Sequence, residues 1–158
     1  MPLRGAGLAL ALCGAIAACG ASAHDLSRAS LIAKGDAVCS RTDAQAAAAT
    51  AHIHVAHDPD GPRQAFIKTA AATRPIAERG VAELRALKPP SAMRRSWNRL
   101  VDDVAKEENA EEALAAAARS DNTISAAETQ QTLQSVQLDL EAAGTEVGLR
   151  VCGKAARA

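Results

Sequence analysis

Ser91 to Val104 reads SAMRRSWNRLVDDV, and its apolar residues Met93, Trp97, Leu100 and Val104 fall at spacings of four, three and four. At about 100° per residue that pattern gathers all four into one stripe along an α-helix, and it does not match the two-residue period of a strand. Lys88-Pro89-Pro90 stops whatever precedes it, and Ser91 is a candidate N-cap. Downstream, Arg119-Ser120-Asp121-Asn122 makes the next break. Ser125-Ala126-Ala127-Glu128 then fits the S-x-x-E capping box, ahead of a stripe of Leu133, Val136, Leu140, Ala143 and Val147. Upstream, a segment from Arg63 to Leu87 carries Ile76, Val81, Leu84 and Leu87 on one face, with Pro75 expected to kink or split it. Asp58-Pro59-Asp60-Gly61-Pro62 separates this from a first, alanine-rich segment running from Ser27 to about Ala56, interrupted only by Gly35. That first segment offers Leu31, Val38 and the run Ala46 to Ala49 to a core. Four helices on short polar or proline-containing connections predict an all-α fold, an antiparallel four-helix bundle.

The residues before this domain have a different character. Arg4 supplies a short positive region, and Leu8 to Ala18 is an unbroken run of apolar and small residues. This is the build of a bacterial export signal, and it is shorter than the roughly 20 apolar residues that span a bilayer. Ile16-Ala17-Ala18-Cys19 resembles the lipobox of bacterial lipoproteins, in which the signal is cut before a cysteine that receives the lipid anchor. Residues 1–18 are therefore expected to be a signal peptide and Cys19 the anchor, with cleavage after Ala23, at Ala21-Ser22-Ala23, as the alternative exit. Residues 19–26 then form a tether, 27–153 the bundle and 154–158 a C-terminal tail. The protein is expected outside the cytoplasm, held to the membrane through Cys19, or soluble and secreted if the later site is used.

Once the signal and Cys19 are set aside, Cys39 and Cys152 are the only cysteines left. An even pair in an oxidising compartment predicts a disulfide, and their spacing suits neither a CxxC redox pair nor a zinc site. In an up-down-up-down bundle the start of the first helix and the end of the fourth lie together, so the bond and the topology imply one another. Composition limits partners. Of 158 residues 48% are hydrophobic, but alanine, about a quarter of the chain, buries little area per residue. One Trp, one Phe and no Tyr leave almost nothing on which bases or sugars could stack, and zero net charge supplies no basic footprint, so nucleic acid is not an expected partner.

Three short stretches, Leu31-Ile32-Ala33-Lys34-Gly35-Asp36-Ala37-Val38-Cys39, Leu84-Arg85-Ala86-Leu87-Lys88-Pro89-Pro90 and Gly148-Leu149-Arg150-Val151-Cys152-Gly153, resemble the landmarks of a group of small secreted or lipid-anchored actinobacterial proteins. The resemblance spans most of the chain after the signal and concerns a scaffold, so it implies no catalytic or binding residue. Gly35, where similar proteins more often carry a helix former, and the histidines after Ala51 are the departures.

His52, His54 and His57 form an H-x-H-x-x-H cluster before the proline-rich turn. Imidazoles bind zinc, copper or nickel, and Asp58 and Asp60 stand nearby. On a helix, however, His52 and His54 point about 200° apart, so a solvated helix end is the expected reading and a metal site the alternative. Asp103, Glu107 and Glu111 recur every four residues, flanked by Asp102, Glu108 and Glu112, and are expected to form a solvated outer face balanced in part by Arg99 and Lys106. Trp97 and Met93 are expected in the core. There is no G-x-S-x-G elbow, H-E-x-x-H, Walker loop or G-x-G-x-x-G, and no Glu-x-x-His pair of the di-iron bundles. The sequence thus points to a non-catalytic envelope protein without a cofactor, presenting a surface to another protein or to the cell wall. A metal or small-ligand binder built on His52, His54 and His57 is the alternative.

Overall fold

A computed structural model describes residues 25–152. Cys19, both candidate cleavage points and the tail 154–158 lie outside them. The described chain is an antiparallel four-helix bundle: α1 (Arg28–Thr50), α2 (Gly61–Ala86), a short 3-10 turn (Ser91–Met93), α3 (Arg94–Arg119) and α4 (Thr123–Val147), with no strand among the described residues. None of these helices is long and apolar enough to cross a membrane.

The helix ends follow local chemistry. Ser27 caps α1, its Oγ accepting the Ser30 N–H at 3.2 Å. The helix stops at Thr50, six residues short of the sequence expectation, where the Thr50 hydroxyl turns back to donate to the Ala46 carbonyl at 2.9 Å. The α4 cap is Asn122, whose Oδ1 accepts the Ser125 N–H at 3.0 Å, and not Ser125 itself, which lies within the first turn. Ser91 likewise opens the 3-10 turn and does not cap α3. Helix α2 runs through Pro75 unbroken, with Pro62 in its first turn, where a missing N–H costs nothing.

The core gathers at the end where α1 begins and α4 finishes. Leu31, Leu84, Trp97, Leu100 and Val147 are the largest fully buried side chains, joined by Val38, Val81, Val101, Leu140, Ala143 and Leu149. Trp97 satisfies its indole N–H on the Leu84 carbonyl at 3.3 Å, and Met93 packs against the same cluster. Gly35 permits this arrangement: a Cβ there would stand 3.0 Å from both the Trp97 ring and Leu149, so the missing side chain lets α1 settle onto the indole. Towards the opposite end, small Ala65, Ala70, Ala110, Ala115 and Ala117 take over the interior, with Leu133 as the one large buried residue among them.

Past α4 the chain reverses at Gly148, whose φ of +94° is open to glycine and strained for other residues. The Gly148 and Leu149 N–H groups both donate to the Gly144 carbonyl at 2.9 Å, and Leu149 turns into the core. Asp36 Oδ1 then accepts the Arg150 and Val151 N–H groups, each at 2.9 Å. Cys152 is thereby brought to Cys39, and the two are joined in a disulfide with Cα atoms 5.5 Å apart. The fourth helix is tied to the first, as cysteine content and topology predict.

Candidate functional site

Helix α1 packs on α2, α2 on α3 and α3, most extensively, on α4, while α1 and α4 scarcely touch along their lengths. Beyond the disulfide their seam stays open, and a cleft of about 580 Å³ occupies the space between the four helices. Its apolar floor is made by Val38, Ile76, Val81, Leu84, Val104 and Leu140, beside the disulfide. The walls are short side chains, Thr42 and Ala46 from α1 and Thr69, Thr73, Ala77 and Gly80 from α2. None of these reaches far enough to fill the space. Thr73 spends its hydroxyl on the Thr69 carbonyl of its own helix at 3.0 Å and so turns a methyl to its surroundings.

Four carboxylates complete the lining: Asp43 from α1 and Glu107, Glu108 and Glu111 from α3. Asp43 and Glu111 keep solvent contact at the rim, whereas Glu107 and Glu108 are half-buried. Surrounding protein thins the water around all four and disfavours their charge. Burial pushes the Asp43 carboxyl up. Burial also raises Glu107, although a hydrogen bond with the Gln137 side chain of α4 holds it back in part; the Asp43 charge adds to the rise. Glu111 is raised by burial and then by the charges of Glu107 and Glu108. Glu108 is raised by burial and by Glu78, against the opposing pull of Arg74 and Arg85. Among the described residues no lining residue is Lys, Arg, His or aromatic, and none of the four carboxylates belongs to an ion pair. Two of the neighbouring cations are engaged elsewhere: Arg74 bridges Glu78 at 2.9 Å and Glu112 at 3.5 Å, and Lys106 bridges Asp103 at 2.7 Å.

This corrects the expectation of a solvated acidic face on the third helix at Asp103, Glu107 and Glu108, whereas Asp102 and Glu111 are exposed as expected. Asp103 is only 3% exposed, packed beneath Lys106 and Arg99, and Glu107, Glu108 and Glu111 look into the bundle. The signal was present in the chain. Continued past Val104 in steps of three and four, the stripe that begins at Met93 and Trp97 passes through Glu107, Glu108 and Glu111 before it reaches fully buried Ala115. Acids standing in core register mark an interior that is not filled.

His52, His54 and His57 are all exposed, in the connection after α1 has ended. They lie on no helix, so the expected helical divergence of His52 and His54 does not arise. Among the described residues no group of three or more His, Cys, Asp or Glu side chains is arranged to hold a metal ion. No family model matches the chain, and neither does any curated protein or solved structure.

Proposed function

We propose that this is a non-catalytic protein of the bacterial envelope, anchored through a lipid on Cys19, whose interhelical cleft holds a small ligand. The observation that carries the ligand is the cleft: its volume falls within the roughly 300–1,000 Å³ of small-molecule sites, and it combines an apolar floor with a few polar groups. A surface-scaffold role draws less support, because among the described residues the exposed large apolar side chains are Val55, Ile124 and Leu138 alone, fewer than a docking patch of several hundred Å² needs. Binding is favoured over catalysis because all four carboxyls are pushed in the same direction, whereas an acid–base pair needs its members pushed apart. The apolar run before Cys19, the paired cysteines and the three stretches similar to small exported actinobacterial proteins support placement outside the cytoplasm.

Nile red, a neutral apolar dye, tests the cleft. Saturable one-to-one binding with a blue-shifted emission is expected for the exported Cys19→Ser protein, and its loss in Ala77→Phe, a variant that fills the cleft, with helical circular dichroism retained. Dye binding that survives Ala77→Phe, or no binding by the parent protein, would reject the cleft as a site.

A further inference from the structure

The geometry points to an organic amine or guanidinium on an apolar body as the ligand of the cleft, an assignment that rests on the cleft being a ligand site. Charge complementarity selects the head group. Four carboxylates line one cavity, among the described residues no cation lines it, and nearby Arg74 and Lys106 are each bound to carboxylates outside it. Partly desolvated carboxylates without counter-ions are costly, and a cation that enters between them removes that cost only in the bound state. The floor selects the body: six aliphatic side chains from all four helices form a surface on which an alkyl or alicyclic group would lose its contact with water.

The kind of cation follows from what the lining lacks. Quaternary ammonium groups are recognised by aromatic cages, because they have no N–H to donate. The cleft has no aromatic wall, since Trp97 is buried to one side with its indole N–H on the Leu84 carbonyl. Carboxylates arrayed on two facing helices, Asp43 on α1 and three glutamates on α3, instead reward a head group that donates several charge-assisted hydrogen bonds. Primary amines and guanidinium groups do so; trimethylammonium groups do not.

Occupancy should also depend on pH. The titratable groups facing the ligand are Asp43 from α1 and Glu107, Glu108 and Glu111 from α3; α4 contributes neutral Gln137, and α2 lines the cleft with no titratable residue. Of these four carboxyls, Arg74, Arg85 and Glu78 of α2 act on Glu108 only. Since all four carboxyls are raised, they begin to take up protons above the ordinary carboxylate range, and an amine that stays charged loses its partners as the pH falls.

Calorimetric titration of the exported Cys19→Ser protein, disulfide intact, with octylamine, octanol and octyltrimethylammonium reads this out. Octylamine is expected to bind at least about tenfold more tightly than either of the others at about pH 8, and to weaken steadily towards about pH 5. Glu107→Gln with Glu111→Gln, near-isosteric and free of the two charges, should lower octylamine affinity about tenfold or more while Nile red still binds. Equal affinities for octylamine and octanol, with Nile red binding preserved, would overturn the ligand class and spare the cleft. Preference for octyltrimethylammonium would overturn the donor argument and with it the assignment. If octylamine bound only after removal of residues 154–158, which carry Lys154 and Arg157, the chain's own basic tail would be the occupant and the assignment would fall. A one-to-two stoichiometry with dimerisation on binding would overturn it in favour of a site between two copies.

Discussion

Replacing Cys39 and Cys152 together by alanine removes the covalent link between α1 and the segment that follows α4. The two positions are separated by 113 residues, and closing a loop of that length lowers the entropy of the unfolded chain by an amount worth about 4.8 kcal/mol at room temperature. Residual helix in the unfolded alanine-rich chain reduces this figure. The folded ends stay together without the bond, because Asp36 still accepts the Arg150 and Val151 N–H groups and Leu149 still sits in the core. The expected loss is about 2–5 kcal/mol, a large part of the 5–15 kcal/mol typical of a domain. Equilibrium unfolding in guanidinium chloride, followed by far-UV circular dichroism, should show a double mutant that is as helical as the parent in buffer but has a lower midpoint, and reduced parent protein should match it. A loss below about 1 kcal/mol would refute the reasoning, since it would mean that the bond scarcely restricts the unfolded chain beyond what residual structure already does.

Asp36→Ala removes two hydrogen bonds from backbone N–H groups to a charged acceptor, so a loss of about 1–3 kcal/mol is expected by the same denaturation assay, with the disulfide still formed by thiol titration. For the cleft carboxyls the folded-state pKa values lie above the unfolded ones, so the charged forms weaken the fold. The stability they withhold near neutral pH returns as pH falls through the raised values and is complete below the ordinary values of 3.8 for Asp43 and 4.5 for the glutamates. The melting temperature should therefore rise on mild acidification from about pH 7 towards about pH 5, and the rise should flatten when Asp43, Glu107, Glu108 and Glu111 are made neutral by Asn and Gln substitution. Cys19→Ser should move the protein from the membrane fraction to the soluble extracytoplasmic fraction; unchanged fractionation with a mature N-terminus at His24 would show that cleavage follows Ala23.

The fold was legible because its determinants are local. The stripe from Met93 to Val104, the proline-rich breaks and the even pair Cys39 and Cys152 each act within a few residues or through one covalent bond, and together they allow little besides a bundle closed at one end. Helix ends were harder, because Asn122 outcompetes Ser125 for the cap of α4 and α1 stops at Thr50 with neither Gly nor Pro beside it to mark the end. The cleft is not legible in the sequence, for a different reason. Its volume depends on how far α1 stands from α4, which follows from the balance of packing across all four helices and from many small side chains, Ala46, Ala77 and Gly80 among them, that look like ordinary helix filler in sequence. Glu107 and Glu111 could have been noticed as acids in core register, yet the same spacing also describes a solvated face. Only the orientation of α3 separates the two readings.

Whether the space between α1 and α4 is a ligand site is read most directly from the amide spectrum of the isotopically labelled, exported Cys19→Ser protein during titration with octylamine. Shifts confined to Thr42, Asp43, Ala46, Thr73, Ala77, Glu107, Glu111 and Gln137, saturating at one equivalent, are the predicted result. Shifts concentrated at His52, His54, His57 and the neighbouring Asp58 and Asp60, or spread evenly over the exposed surface, would contradict it.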